Sequence, residues 1–212
     1  MRQRRCAPAV VGAALMSAVM LTVTACSGGE PATELTAQVD PAALPADLTW
    51  RTVGGLTVPS SPVDGPVRHS PPEGYSHTPQ GAALAAANGQ AVLATAGDEV
   101  WADTLRTVTA PGPGRDEFAY ARAMMSVSGS VAEEHASTFV GFHVTDYSDE
   151  QAIVLLATRT PDRDGDSLLT AYPVQMAWTG GDWKLVVPQQ SDEVDAVEID
   201  TLDDFTTWEQ DT

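Results

Sequence analysis

His143 and Tyr172 are the side chains in this 212-residue chain best placed to move protons. An imidazole titrates near neutral pH and a phenol can donate or accept, but general acid–base catalysis needs a second group within hydrogen-bond reach. Asp146 and Tyr147, at the end of the strand that carries His143, are the nearest such groups in sequence. Glu133-Glu134-His135 offers two carboxylates beside an imidazole, yet it lacks the i, i+4 histidine pair of a zinc-binding helix and reads as a solvated turn. Asp162-Arg163-Asp164-Gly165-Asp166 has the letters of a calcium loop in the wrong places. Glycine comes fourth where an EF-hand needs it sixth, and Pro173 stands twelfth where a bidentate glutamate belongs. A hairpin turn at Asp164-Gly165 accounts for the same residues. No Gly-x-Ser-x-Gly elbow or phosphate-binding glycine loop is present. The residues therefore imply no cofactor and no metal, and they point to binding ahead of catalysis.

The two thiols, Cys6 and Cys26, belong to the chain's leading segment. Arg2, Arg4 and Arg5 precede an apolar run from Ala7 to Leu21, and small residues then lead into Cys26. A basic head, an apolar stretch and a small-residue cleavage site are the marks of a secretory signal. Val23-Thr24-Ala25-Cys26 resembles the lipobox of bacterial lipoproteins. That resemblance implies cleavage between Ala25 and Cys26, a diacylglycerol on the Cys26 thiol, and residence on the outer face of the cell membrane. Removing residues 1–25 takes away three arginines and no acid, so the formal charge moves from −18 to −21. No free thiol then remains for a disulfide, a metal site or nucleophilic catalysis. So acidic a chain, with Lys184 as its single lysine, is unsuited to direct contact with nucleic acid and favours a protein partner with a basic surface.

Residues 26–79 hold nine of the fifteen prolines and read as an extended tether, interrupted by a short docked hairpin at 48–58 about Gly54-Gly55. The globular part is expected over residues 80–190. Thr78 and Pro79 supply an N-cap and a first helical residue. An alanine-rich helix follows to Gly97, a second spans Glu99–Val108, and a third runs over Asp116–Ser126 with Phe118, Ala121 and Met125 buried. The period then changes to two. Thr138–Tyr147 alternates, with Phe139, Gly141 and His143 on one side, and further strands are predicted at Ala152–Thr160, Leu168–Thr179 and Trp183–Val187. The expected fold class is α+β, with three N-terminal helices followed by a four-stranded antiparallel meander, cone-like in shape. Trp178 and Trp183 flank the tight turn Gly180-Gly181-Asp182, where they can stack across the hairpin or line a partner groove.

Gly65-Pro66, the run Gly74-Tyr75-Ser76-His77-Thr78-Pro79-Gln80-Gly81-Ala82-Ala83-Leu84 and the closing Ala177-Trp178-Thr179-Gly180-Gly181-Asp182-Trp183-Lys184-Leu185 are similar to a domain family of unknown function. That family occurs in lipoproteins and membrane-anchored proteins of actinobacteria, often among genes of conjugative elements. The resemblance covers roughly residues 48–190 and implies an accessory role in the envelope machinery of conjugation or type IV secretion. The order of helices then strands also resembles the nuclear transport factor 2-like cone. In such a cone, a cavity around His143 and Tyr172 would make the chain a small-ligand carrier or an enzyme.

Residues 192–212 carry nine acids and no base, the composition of a disordered acidic tail from 191 onward. Val194, Val197, Leu202, Phe205 and Trp208 nevertheless recur at near-helical steps. Phe205 and Trp208 are thus expected to anchor the tail on a basic groove, on this domain or on another protein, and with Trp178 and Trp183 they are the candidate partner-binding residues.

Overall fold

The structure is a computed structural model in which residues 39–162 and 166–208 are described. The signal segment, Cys6, Cys26 and the tether up to residue 38 lie outside the described residues.

The described chain begins with strands and not with helices. β1 (Thr49–Val53) and β2 (Leu56–Ser60) form an antiparallel hairpin about Gly54-Gly55. Both glycines have positive φ, as a two-residue turn of this hand requires. Residues Arg68–His69 (β3) and Pro72–Glu73 (β4) make a second, shorter ladder.

Helix α1 (Pro79–Thr95) follows, with Pro79 in its first turn and the Thr78 hydroxyl accepting from the Gly81 amide at 3.1 Å. Most of its residues are buried on every side, because β2 covers one flank and the main sheet the other. Alanine is the residue that permits this. It extends a helix at no rotamer cost and lets backbones on both sides approach closely. A Cβ on Gly89 would stand 2.3 Å from Leu185 Cδ1, so that turn of the helix admits only glycine without repacking. Asn88, fully buried, donates to the carbonyls of Pro59 (2.8 Å) and Leu84 (2.9 Å), fastening hairpin to helix.

Helix α2 (Trp101–Val108) packs on α1, and α3 (Pro113–Arg122) begins three residues before the predicted start because Pro113 opens its first turn. The expected burial of α3 is inverted. Ala121 and Met125 are exposed and Phe118 is half-buried, while Gly114 and Arg122 are the buried residues. Arg122 tolerates burial because its guanidinium donates to the carbonyls of Met125 (2.9 Å) and Ala96 (2.9 Å) and to Asp98 (3.0 Å), with the Trp101 ring 5.4 Å away.

The main sheet is wholly antiparallel and six-stranded. β5 (Thr138–Tyr147), β6 (Gln151–Pro161), β7 (Ser167–Thr179) and β8 (Asp182–Val186) follow one another. Beyond them, β9 (Val197–Glu198) pairs with β7, and β10 (Thr206–Thr207) pairs with β5. The expectation of three N-terminal helices and a four-stranded meander is therefore overturned. The helices sit mid-chain behind two small ladders, and the acidic segment supplies two further strands. Composition misled here: its charges face solvent while Trp208 is buried against Phe142, ring centroids 4.5 Å apart.

Candidate functional site

Two of the sequence stretches that carry the family resemblance meet in space. The Asp182 carboxylate, in the tight turn, accepts from the amides of Gly74 (3.1 Å), Tyr75 (3.0 Å) and Trp183 (3.0 Å), and from Lys184 Nζ (3.0 Å). The Trp183 indole donates to the Ser76 carbonyl at 3.1 Å, and His77 stacks on Trp178 with ring centroids 3.9 Å apart. Trp178 and Trp183 are a cross-strand pair, edge to face at 5.3 Å. Tyr147 completes the cluster by donating to the His77 carbonyl, while His77 Nε2 donates to the Asp149 carbonyl at 2.6 Å. These residues form a clasp between segments about a hundred positions apart, and their chemistry is spent within it. Trp183 is 1% exposed and Trp208 5%, so neither offers surface to a partner; Trp178 and Phe205 are half-buried.

His143 and Tyr172 do not share a cavity. The register aligns His143 with Leu155 and Pro173, and Phe142 with Leu156 and Tyr172, which sets the two candidates on opposite faces of the sheet. A bulge at Val140 also breaks the simple alternation, so Phe139 joins Phe142 on the core face and leaves His143 behind. His143 Nδ1 donates to the Asp204 carbonyl, and its ring meets Phe205 edge-on. Glu133-Glu134-His135 is an exposed single 3₁₀ turn. Among the described residues no cluster of three or more metal-ligating side chains occurs; residues 163–165 of the Asp162–Asp166 loop lie outside them.

Tyr172 instead faces a groove that periodicity could not reveal, because it forms where the sheet edge opens. β8 leaves β7 after Gln175 and β9 rejoins it at Ala171. Between them the chain swings out through residues 187–196, so β7 has no neighbour over residues 172–174 on that edge. The gap, of about 390 Å³, is lined by Tyr172, Val174, Gln90 and the Pro111–Arg115 and Val187–Gln189 segments. It adjoins a hollow of about 370 Å³ against Leu93, Phe118 and Leu185, and then opens along α3 beside Tyr120, Ala121 and Val194. One wall is α3, pinned at Gly114, where an added Cβ would stand 2.0 Å from the Val187 carbonyl oxygen.

The lining is apolar in bulk with few polar groups. Burial first, and the Asp195 carboxylate second, push the Tyr172 hydroxyl above its ordinary value near 10, so it stays a neutral donor. Around the rim stand Asp116, Glu117, Asp192 and Glu193 against the single cation Arg115. Tyr120 on α3 is 70% exposed and extends the apolar wall outward. The arrangement can hold an extended segment by contact and hydrogen bonding. Among the described residues no helix is long and apolar enough to cross a membrane.

No curated protein and no solved structure matches this chain. The family model of a domain of unknown function, DUF8175, matches residues 13–207, beyond the 48–190 of the sequence resemblance and through the acidic strands, and the chain belongs to that family.

Proposed function

We propose that this chain is a lipid-anchored extracytoplasmic binding domain, accessory to conjugative or type IV secretion-like envelope machinery of actinobacteria, and that it works by docking a partner and not by catalysis. The observation that carries the binding reading is the groove between α3 and the β7–β8 edge, with Phe118 in its lining and Tyr120 exposed beside it. Large apolar side chains gathered at a concave site mark a contact surface. The acidic rim selects a basic segment, in keeping with a mature charge of −21. Anchoring rests on the lipobox-like Val23–Cys26, and the conjugative setting on the sequence resemblance. A catalytic reading loses its support because His143 and Tyr172 occupy opposite faces.

A photo-crosslinking residue at Tyr120, compared with one at Val67, an exposed residue outside the groove lining, tests the docking face in cells. One discrete adduct from position 120 that disappears with Tyr172→Ala supports the groove; equal adducts from both positions overturn it. Fatty-acid labelling of the wild type that is lost in Cys26→Ala supports the anchor, and equal labelling rejects it. Loss of conjugative transfer on deletion of the gene supports the setting, and unchanged transfer rejects it.

A further inference from the structure

The acidic segment does more than add two strands. It leaves β9 on one edge of the sheet, crosses the face opposite the helices, and rejoins the other edge as β10. The crossing is fastened at both ends. The Ile199 amide donates to the Leu169 carbonyl at 3.0 Å, the Trp208 amide to the Val140 carbonyl at 3.0 Å, and His143 Nδ1 to the Asp204 carbonyl. It does not lie flat on the sheet. An open chamber of about 440 Å³ remains beside it, between His143, Leu155 and Pro173 on the sheet and Ile199 and Phe205 on the crossing.

Three features of this chamber specify its occupant. Most of its lining is apolar, so it accepts a hydrocarbon or ring. Asp195, just before β9, and Asp204, just before β10, both line it, and no Lys or Arg is among the lining residues. His143 Nδ1 is committed to the Asp204 carbonyl, which leaves Nε2 as the ring's other polar atom. The lining is thus apolar with carboxylates and no Lys or Arg, while Arg159, further along the same face of β6, is turned to Ser167. We infer that the chamber beside residues 195–205 binds a small amphiphilic amine, its apolar body against Leu155 and Phe205 and its ammonium between Asp195, Asp204 and His143. At this volume the site sits at the small end of the ~300–1,000 Å³ range of ligand pockets.

This site adjoins the α3 groove, sharing Pro173 with it, but His143, Leu155 and Asp204 belong to it alone, so shifts read at His143 do not depend on the docking reading. The probe is 4-phenylbutylamine, titrated into the full-length chain in detergent while the His143 ring resonances are followed by NMR. 4-Phenylbutanol serves as the uncharged isostere. Saturable shifts at His143, with the amine binding about tenfold tighter than the alcohol, are expected from hydrogen bonds to charged groups. The double variant Asp195→Asn/Asp204→Asn should bring the amine down to the alcohol's affinity. Leu155→Trp fills the chamber from the sheet and should abolish both; if that variant fails to fold, Ile199→Trp fills it from the crossing instead. No saturable shift at millimolar amine overturns the site. Equal binding of amine and alcohol overturns the charge selection, and binding that survives both tryptophan variants overturns the location.

Discussion

Helices α1 and α3 are built on opposite principles. α1 is enclosed, with alanine and glycine letting β2 and the main sheet close on it from both sides. α3 buries only Gly114 and Arg122, and it is held by a close backbone contact at its start, the Glu117 carboxylate on the Gln190 amide at its middle and a guanidinium clamp at its end. The difference separates a helix that makes the core from one that makes a wall. Stability resides in α1 and its sheet, whereas the shape of the groove depends on how α3 is held. Substitutions on the two helices should therefore fall in different classes, and each variant below either sharpens that division or breaks it.

The largest effect belongs to the core side. Trp183 packs in the clasp and donates to Ser76, and Trp183→Ala should destabilise by about 3–5 kcal/mol in urea unfolding, the usual cost of emptying a large buried aromatic. Tyr120→Ala on α3 should stay within about 0.5 kcal/mol of wild type, as exposed sites do. A comparable loss at both positions would break the division. Arg122→Met comes next. It removes the charged donor shared by the partly buried carbonyls of Ala96 and Met125, at about 1.5–3 kcal/mol for hydrogen bonds from a charged group. Amide exchange should quicken in residues 113–122 while α1 keeps its protection, and uniform acceleration would show that α3 is part of the core after all. Gly114→Ala should cost about 1–3 kcal/mol through overpacking against Val187 and Pro188, since that contact is with backbone and cannot swing away. Its signature is displaced α3 resonances with those of α1 unmoved.

Local signals in the sequence were legible where one residue decides the structure. Thr78-Pro79 opens α1, Gly54-Gly55 turns the first hairpin, and Gly180-Gly181 turns the last. What escaped depended on partners far away in sequence. The burial of Arg122 requires Ala96 and Asp98, which no helical wheel contains. The bulge at Val140 shifts His143 relative to Phe139, and a strict period of two cannot foresee it. The acidic segment reads as solvated because charge dominates its composition, yet Trp208 alone carries enough apolar surface to seat its end against Phe142. The groove was invisible for the same reason: it is a gap between two strands, one of them hidden in that segment.

The smallest effect concerns the far end of the clamp. Asp98 accepts from Ser126 Oγ (2.6 Å), the Val127 amide (2.9 Å) and Arg122 (3.0 Å), and these bonds lower its carboxyl from 3.8 to about 2. The depressed value means that the folded state favours the ionised form. Its contribution is therefore complete above about pH 4, where the unfolded chain is also ionised, and is lost as the pH falls towards 2. Asp98→Asn removes the charge but keeps an acceptor, so it should be less stable than wild type at pH 6, and the gap should close between pH 4 and 2. Other carboxylates titrate over the same range, which is why the difference between the two proteins, and not either curve alone, is the measurement. Loosening should be confined to the residues 122–127 turn and α3, since Asp98 touches nothing in the enclosed layer except through Arg122. A gap that stays constant from pH 6 to pH 2 would mean that the carboxylate's charge contributes nothing to the clamp, and that Arg122 holds α3 through the Ala96 and Met125 carbonyls alone.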